Sequence, residues 1–180
     1  MLSIVIPVFN EEENINSVIE ELLENIDTQS PYEIIFVDDS SDDNTFLNIK
    51  AINLQNNNVK ILRLARRSGS HIATKAGIDA SSGDKLLVIS GDGQEDPALI
   101  KDMISNIADG FDIIWGIRDV REENLFSRLV TKIFYKGLVR FTKNTTNYSV
   151  DISNADFYML SNKVINELKK ASLKNSSLES

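Results

Sequence analysis

Oxygen-bearing side chains crowd one short segment, Ser90-Gly91-Asp92-Gly93-Gln94-Glu95-Asp96-Pro97. Hard donors of this kind suit Mg²⁺ or Mn²⁺, cations that bridge to phosphate oxygens. If the chain stays extended there, strand alternation puts Ser90, Asp92 and Gln94 on one side. Gly91 and Gly93 let a ligand approach the backbone closely. Asp96 reads differently: before Pro97 it is a helix cap, with the proline at the first helical position. A second acidic cluster is Asp38-Asp39-Ser40-Ser41-Asp42-Asp43. A carboxylate at a strand end can accept hydrogen bonds from a base or a ribose, but Asp and Ser in a turn also cap the helix that follows. Both readings stand for that cluster on sequence grounds.

The elements that position these clusters alternate short apolar runs with helical periodicity, which predicts an α/β fold with a mainly parallel sheet. Strands are predicted at Leu2 to Val8, Tyr32 to Val37, Val59 to Leu64, Lys85 to Ser90, Phe111 to Trp115 and Ala155 to Leu160. Asn10 reads as a helix N-cap, with Glu13 in capping-box position, ahead of the apolar stripe Ile15, Val18, Ile19, Leu22, Leu23 and Ile26. Further helices are predicted from Asn44, over Ser70 to Ala80, from Asp96 through the stripe Leu99, Ile100, Met103, Ile104 and Ile107, over Leu125 to Phe141, and from Asn162. In open sheets of this class ligands bind at the carboxyl ends of the strands, where both acidic clusters fall. Glu11, Glu12 and Glu13 in the first turn of the first helix would repel a pyrophosphate docked there. With no GxGxxG in the sequence either, this argues against a dinucleotide-binding Rossmann site.

The 180 residues suit one domain, read as residues 1–170 with a polar, flexible tail at 171–180. A formal charge of -8 argues against general nucleic-acid binding. Without cysteine there are no disulfides or thiolate metal sites. There is no signal-peptide pattern, and no apolar run approaches the roughly 20 residues that span a bilayer. The expectation is a cytoplasmic chain, or one bound peripherally on the inner face of a membrane. The single histidine, His71, near a helix start, reads as structural or solvent-facing, and Trp115 as a core strand residue.

Several segments together resemble a known family. Val5-Ile6-Pro7-Val8-Phe9-Asn10-Glu11-Glu12 and Val37-Asp38-Asp39-Ser40-Ser41-Asp42 resemble the opening motifs of family 2 glycosyltransferases with a GT-A fold, the Rossmann-like three-layer fold of nucleotide-diphospho-sugar transferases. Leu64-Ala65-Arg66-Arg67-Ser68-Gly69 resembles their next, Arg-rich motif. The segment from Ser90 to Pro97 resembles the Asp-x-Asp-x-Gln-Asp-Pro-Pro stretch of the polyprenyl-phosphate sugar transferases, the group of dolichol-phosphate mannose synthase and the bacterial undecaprenyl-phosphate enzymes. Trp115-Gly116-Ile117-Arg118-Asp119-Val120-Arg121-Glu122 and Asn154-Ala155-Asp156-Phe157-Tyr158-Met159-Leu160 resemble two further segments, in the same order.

The resemblance implies an inverting, metal-assisted transfer of a sugar from a UDP- or GDP-sugar to a polyprenyl phosphate or a saccharide. It implies that Pro7, Asn10, Glu11, Asp38 and Asp39 line the nucleotide pocket, and that Asp92 and Gln94 ligate Mg²⁺ or Mn²⁺ on the diphosphate. Arg118, Arg121 and Arg128 would hold phosphate groups, and Asp156 stands at the position of the candidate base. Three residues depart from the pattern. Ser90 replaces the first aspartate of Asp-x-Asp, Arg67 stands where Asn is frequent, and Tyr158 where Arg is frequent. Ser90 and Tyr158 motivate an alternative, a non-catalytic remnant that binds a nucleotide sugar or a partner. A receiver-type phosphotransfer domain would use Asp38-Asp39 but leaves the segment from Ser90 unexplained.

The predicted helix at residues 125–141 carries Arg128, Lys132, Lys136 and Arg140 at every fourth position, opposite a broad apolar face. Two readings fit: a helix on an anionic membrane surface, or one packed on the sheet with a solvated basic side.

Overall fold

The computed structural model describes residues 1–116 and 157–176. Six strands form one sheet: β1 (Leu2–Val8), β2 (Tyr32–Asp38), β3 (Val59–Arg63), β4 (Lys85–Val88), β5 (Ile113–Trp115) and β6 (Tyr158–Ser161), in the order β3-β2-β1-β4-β6-β5. The first four are parallel; β6 is antiparallel to β4 and to β5. The expected mainly parallel α/β sheet is therefore present, with one reversed strand inserted near its edge.

Among the described residues five helices cover the sheet: α1 (Ile15–Asn25), α2 (Thr45–Gln55), α3 (Ser70–Ala80), α4 (Leu99–Ala108) and α5 (Asn162–Ser176). Residues 171–176, read from sequence as tail, lie within α5. Helices α1, α2 and α4 pack on one face through Ile15, Leu22, Ile49, Ile100 and Met103 against Ile4, Ile6, Phe36, Leu87 and Met159. Helices α3 and α5 pack on the other through Ala73, Ile78 and Ile165 against Val5, Ile35, Val37 and Leu86. Burial on both faces explains why β1 and β2 read as nearly unbroken apolar runs. α3 sits directly on β1: a Cβ on Gly77 would collide with the Val5 side chain.

The entry to α1 differs from the expectation. Asn10 is not its N-cap and Glu11 to Glu13 are not its first turn; the helix begins at Ile15, behind Asn14, with no acidic residue in its first turn. Asn10 has φ 56, outside the extended geometry of an N-cap. The N–H groups a cap would have served go to the neighbouring loop instead. Asn10 N donates to Ser41 Oγ (3.0 Å), Glu11 N to Thr45 Oγ1 (2.7 Å) and Glu12 N to Asp43 Oδ2 (3.2 Å). Glu11 to Glu13 therefore do not offset the positive end of the α1 dipole. The entry to α4 differs too. Asp96 Oδ1 accepts Ala98 N–H at 3.0 Å, but the helix begins at Leu99 behind Ala98. Leu99 N–H and Ile100 N–H bond back to Asp96 O and Pro97 O in a tighter turn that leaves Asp96 and Pro97 outside the helix. Among the described residues no helix is long and apolar enough to cross a membrane.

Candidate active site

Chain direction reverses across the sheet at β1. From β1 the crossovers run one way to β2 and β3, then the chain returns to β4 on the other side. The carboxyl ends of β1 and β4 therefore flank the crevice where sheets of this type bind ligands. Pro7 marks its opening. Val5 faces β4, since its carbonyl accepts Ile89 N–H at 3.1 Å. Pro7, two residues on, faces the same way, just beyond the last β1–β4 pair, Val5 with Val88. A residue with no N–H sits where the ladder has already ended. Gly91 then packs on the last residue of β1, where a Cβ would lie 2.5 Å from Val8 Cγ1.

Two carboxylates at the end of β2 organise the adjoining loops. Asp38 is fully buried. Its Oδ1 accepts Ser41 N–H at 3.0 Å, and its Oδ2 lies 3.2 Å from Arg63 Nε in an ion pair too bent for a hydrogen bond. Arg63 also donates to Ser41 O (2.9 Å) and lies over the Phe46 ring. Asp39 is 3% exposed, and its two oxygens accept Ser68 N–H and Gly69 N–H, each at 2.7 Å. Its own N–H donates to Val8 O. Asp39 thus ties the ends of β1 and β2 to the loop that enters α3.

Asn10 and Ser40 are the non-glycine residues with positive φ (56 and 65) among those described. They stand in facing loops, where Asn10 Oδ1 accepts Asp42 N–H at 2.9 Å. Glu11 lies in the same contact, accepting Asn14 Nδ2 at 2.7 Å. Asp43 is shared between the loops. Burial alone would raise its carboxyl, but hydrogen bonds from Thr45 and Glu12 outweigh that and hold it below the usual range.

On the β4 side Asp92 is half-buried and Gln94 exposed. Asp92 N–H donates to Ser90 Oγ (3.3 Å) and Asp92 Oδ1 accepts Gln94 N–H (3.0 Å). No group of three or more His, Asp or Glu side chains is gathered as a metal cage among the described residues. Ser90, Asp92 and Gln94 still supply a hydroxyl, a carboxylate and an amide, all hard oxygen donors. Mg²⁺ is ordinarily held by one or two carboxylates plus substrate phosphates, and these donor types suit an ion that arrives with a diphosphate. But β4 ends at Val88, the chain turns at Gly91 and Asp92, and Gly93 has φ 67, so the extended run expected to put Ser90, Asp92 and Gln94 on one side is not formed. Tyr158 lies in register with Val88, so this departure from the family pattern borders the same edge.

Arg67 is exposed and lies 3.9 Å over the Phe9 ring, just past β1. His71 is exposed in the first turn of α3 and Trp115 half-buried in β5. The structure thus brings Pro7, Asn10, Glu11, Asp38 and Asp39 together across the ends of β1 and β2, with Asp92 and Gln94 on the β4 side. Arg118, Arg121, Arg128, Asp156 and the helix expected at 125–141 lie outside the described residues. Sequence reasoning passed over Ser41, Thr45, Arg63 and Phe9, whose roles depend on contacts between distant segments.

The family model for Glycosyl transferase family 2 matches residues 3–168. The "Uncharacterized glycosyltransferase YkcC" of Bacillus subtilis (strain 168) is 34% identical over 175 residues, covering 96% of this chain and 53% of that protein. The "Undecaprenyl-phosphate 4-deoxy-4-formamido-L-arabinose transferase" of Proteus mirabilis (strain HI4320) is 30% identical over 143 residues, covering 78% of this chain and 44% of that protein. The chain spans about half the length of the curated relatives it matches. Among solved structures, the "Mannosyltransferase PcManGT from Pyrobaculum calidifontis in complex with GDP-Man and Mn2+" superposes with a TM-score of 0.65 at 14% identity, over 93% of this chain and 46% of that one. The fold is the GT-A fold of these transferases.

Proposed function

The chain belongs to glycosyl transferase family 2, and from that membership we propose that it is the catalytic part of an inverting transferase. It moves a sugar from a UDP- or GDP-sugar to a polyprenyl phosphate. The observation that carries this reading is the gathering of Asn10, Glu11, Asp38 and Asp39 on the β2 side of the β1 end, with Pro7 and Asp92 toward β4. A nucleoside would occupy the β1–β2 side and a diphosphate the β4 side. The undecaprenyl-phosphate relative supports the lipid-phosphate acceptor; a saccharide acceptor would use the same donor half-site.

Asp92 and Gln94, with Ser90, would hold Mg²⁺ or Mn²⁺ on the diphosphate, and the bound ion would offset the charge that builds on the leaving group. The mannosyltransferase bound to GDP-Man and Mn²⁺ supports a donor and metal of this class. In this reading Arg118, Arg121 and Arg128 neutralise phosphate oxygens, and Asp156 takes the proton when the acceptor is a hydroxyl. A phosphate acceptor is already anionic and needs a base less. The basic, apolar-faced segment at 125–141 would bring the chain to the inner face of a membrane.

Isothermal titration of UDP, GDP and their sugars with Mn²⁺ tests the donor site; silence across that panel removes the proposal. A second reading rests on Ser90, which leaves one carboxylate fewer at the metal: a protein that binds the nucleotide sugar without turning it over. Turnover that disappears in Asp92→Ala and Asp156→Ala excludes it.

A further inference from the structure

Two arginines near the end of β3 lie over aromatic rings, and only one is otherwise engaged. Arg63 pairs with Asp38, donates to Ser41 O and covers Phe46. Arg67 covers Phe9 at 3.9 Å and makes no hydrogen bond or ion pair among the described residues. Its backbone is held all the same, because Asp39 takes the N–H groups of the next two residues, Ser68 and Gly69, and is itself bonded to Val8 O. Phe9 directly follows Val8, so ring, guanidinium and clamp form one unit on the β1–β2 side of the crevice.

Position separates this unit from the phosphate side. β1 has β2 on one flank and β4 on the other. The Asp92 loop reaches β1 from the β4 flank, through Gly91 on Val8; the Arg67 loop reaches it from the β2 flank, through Asp39. A nucleoside diphosphate whose phosphates lay by Asp92 and which crossed the end of β1 would bring its base to the flank that carries Arg67. A guanidinium with one face on a ring keeps its other face and its edge donors, and both match a flat heterocycle with carbonyl acceptors.

We propose that Arg67, laid flat on Phe9, is the platform on which the donor's base stacks, which makes it a specificity residue of this chain at a position where relatives of the family often carry Asn. The inference rests on the nucleotide-sugar reading above. Arg67 contacts the base, not the diphosphate, and needs its planar group as well as its charge.

Titrations of UDP, GDP and inorganic pyrophosphate, each with Mn²⁺, into the wild type, Arg67→Asn, Arg67→Lys and Phe9→Leu test it. Arg67→Asn and Arg67→Lys should each weaken the preferred nucleoside diphosphate about tenfold, with pyrophosphate affinity and melting temperature unchanged. Phe9→Leu should show the same pattern to a smaller extent. Full rescue by Lys, an equal loss for pyrophosphate, or no loss in any variant overturns the proposal. A wild type that binds none of the nucleotides fails before any variant is compared; that outcome removes the donor reading and this inference with it.

Discussion

Strand β2 ends in buried carboxylates at both extremities, and the two ends use them differently. At the amino end Glu33 is 4% exposed. It accepts the Ser3 hydroxyl and Ser82 N–H, both at 2.6 Å, and pairs with Lys60 Nζ at 2.6 Å. Ser3 Oγ in turn accepts Gly83 N–H at 2.8 Å. These partners lie on β1, on β3 and in the turn before β4, so the cluster fixes the alignment of the strands. At the carboxyl end Asp38 and Asp39 bond mainly to loop backbone, beside Asn10 and Ser40 with their positive φ. Strain of that kind persists only where the surroundings over-determine it, and it gathers at functional sites. One end of the strand closes the structure; the other holds loops in shapes they would not adopt alone.

The largest expected effect lies beside the second end. If Asp92 serves charge development and not folding, Asp92→Ala should cut turnover of the nucleotide sugar by roughly 10²–10³-fold and leave the melting temperature alone. A parallel drop in melting temperature would mean that this loop, too, is mainly structural. Glu33→Ala should do the reverse. It strands the buried Ser3 hydroxyl and removes the partner of the exposed Ser82's N–H, which costs roughly 1–3 kcal/mol of stability, while the folded fraction keeps its nucleotide affinity. Denaturant unfolding and titration of the same samples separate the two quantities.

Asp39→Asn falls between. An amide offers one acceptor atom to two N–H donors, so Ser68 or Gly69 loses its partner. About 2 kcal/mol of stability should go, and nucleotide affinity should fall with it because the clamped loop carries Arg67. Unchanged affinity would detach the clamp from the site and make the two ends of β2 equivalent.

Acid tests the amino-end cluster. Burial taken alone would raise the Glu33 carboxyl; hydrogen bonds from Lys60, Ser3 and Ser82 outweigh it and hold the group below its ordinary value of 4.5. A depressed folded-state pKa contributes stability that is complete above the unfolded value and fades as pH falls through the folded one. The stability gap between wild type and Glu33→Gln should therefore be full at neutral pH and shrink below 4.5. A gap that stays constant with pH would show that the Glu33 charge contributes nothing to the amino-end cluster.

Legibility in the sequence follows the range of the contacts involved. β1 and β2 are readable because burial on both faces leaves a local trace, a nearly unbroken apolar run. α3 matched its expected span, Ser70–Ala80. The cap of α1 was misread because Asn10 and Glu13 satisfy the local pattern, whereas the groups that capture Asn10 to Glu12 come from Ser41, Thr45 and Asp43 on another loop. The acidic clusters were visible as composition, but which of their oxygens face backbone and which face the crevice depends on those same distant contacts. The Arg67–Phe9 stack joins loops that follow different strands, so no window of sequence contains it. The insertion of β6 between β4 and β5 is likewise a property of pairing, not of any segment's own pattern.

The smallest effect compares the ends through one substitution made at each. Ser40 has φ 65, a region that costs a non-glycine residue about 1–2 kcal/mol and glycine almost nothing. Ser40→Gly relieves that cost but gives the unfolded chain more freedom, worth about 0.4–1 kcal/mol. The difference should be a gain of about 0.5 kcal/mol, or 1–2 °C in a chain of this size. Ser82, whose N–H meets Glu33, is not among the positive-φ residues. Ser82→Gly therefore relieves nothing and should lower stability by about 0.4–1 kcal/mol. Opposite signs at the two ends of β2, read from melting curves of the two variants, would locate the strain at the carboxyl end. Equal signs would remove strain from the account and leave only the identity of the hydrogen-bond partners to distinguish the clusters.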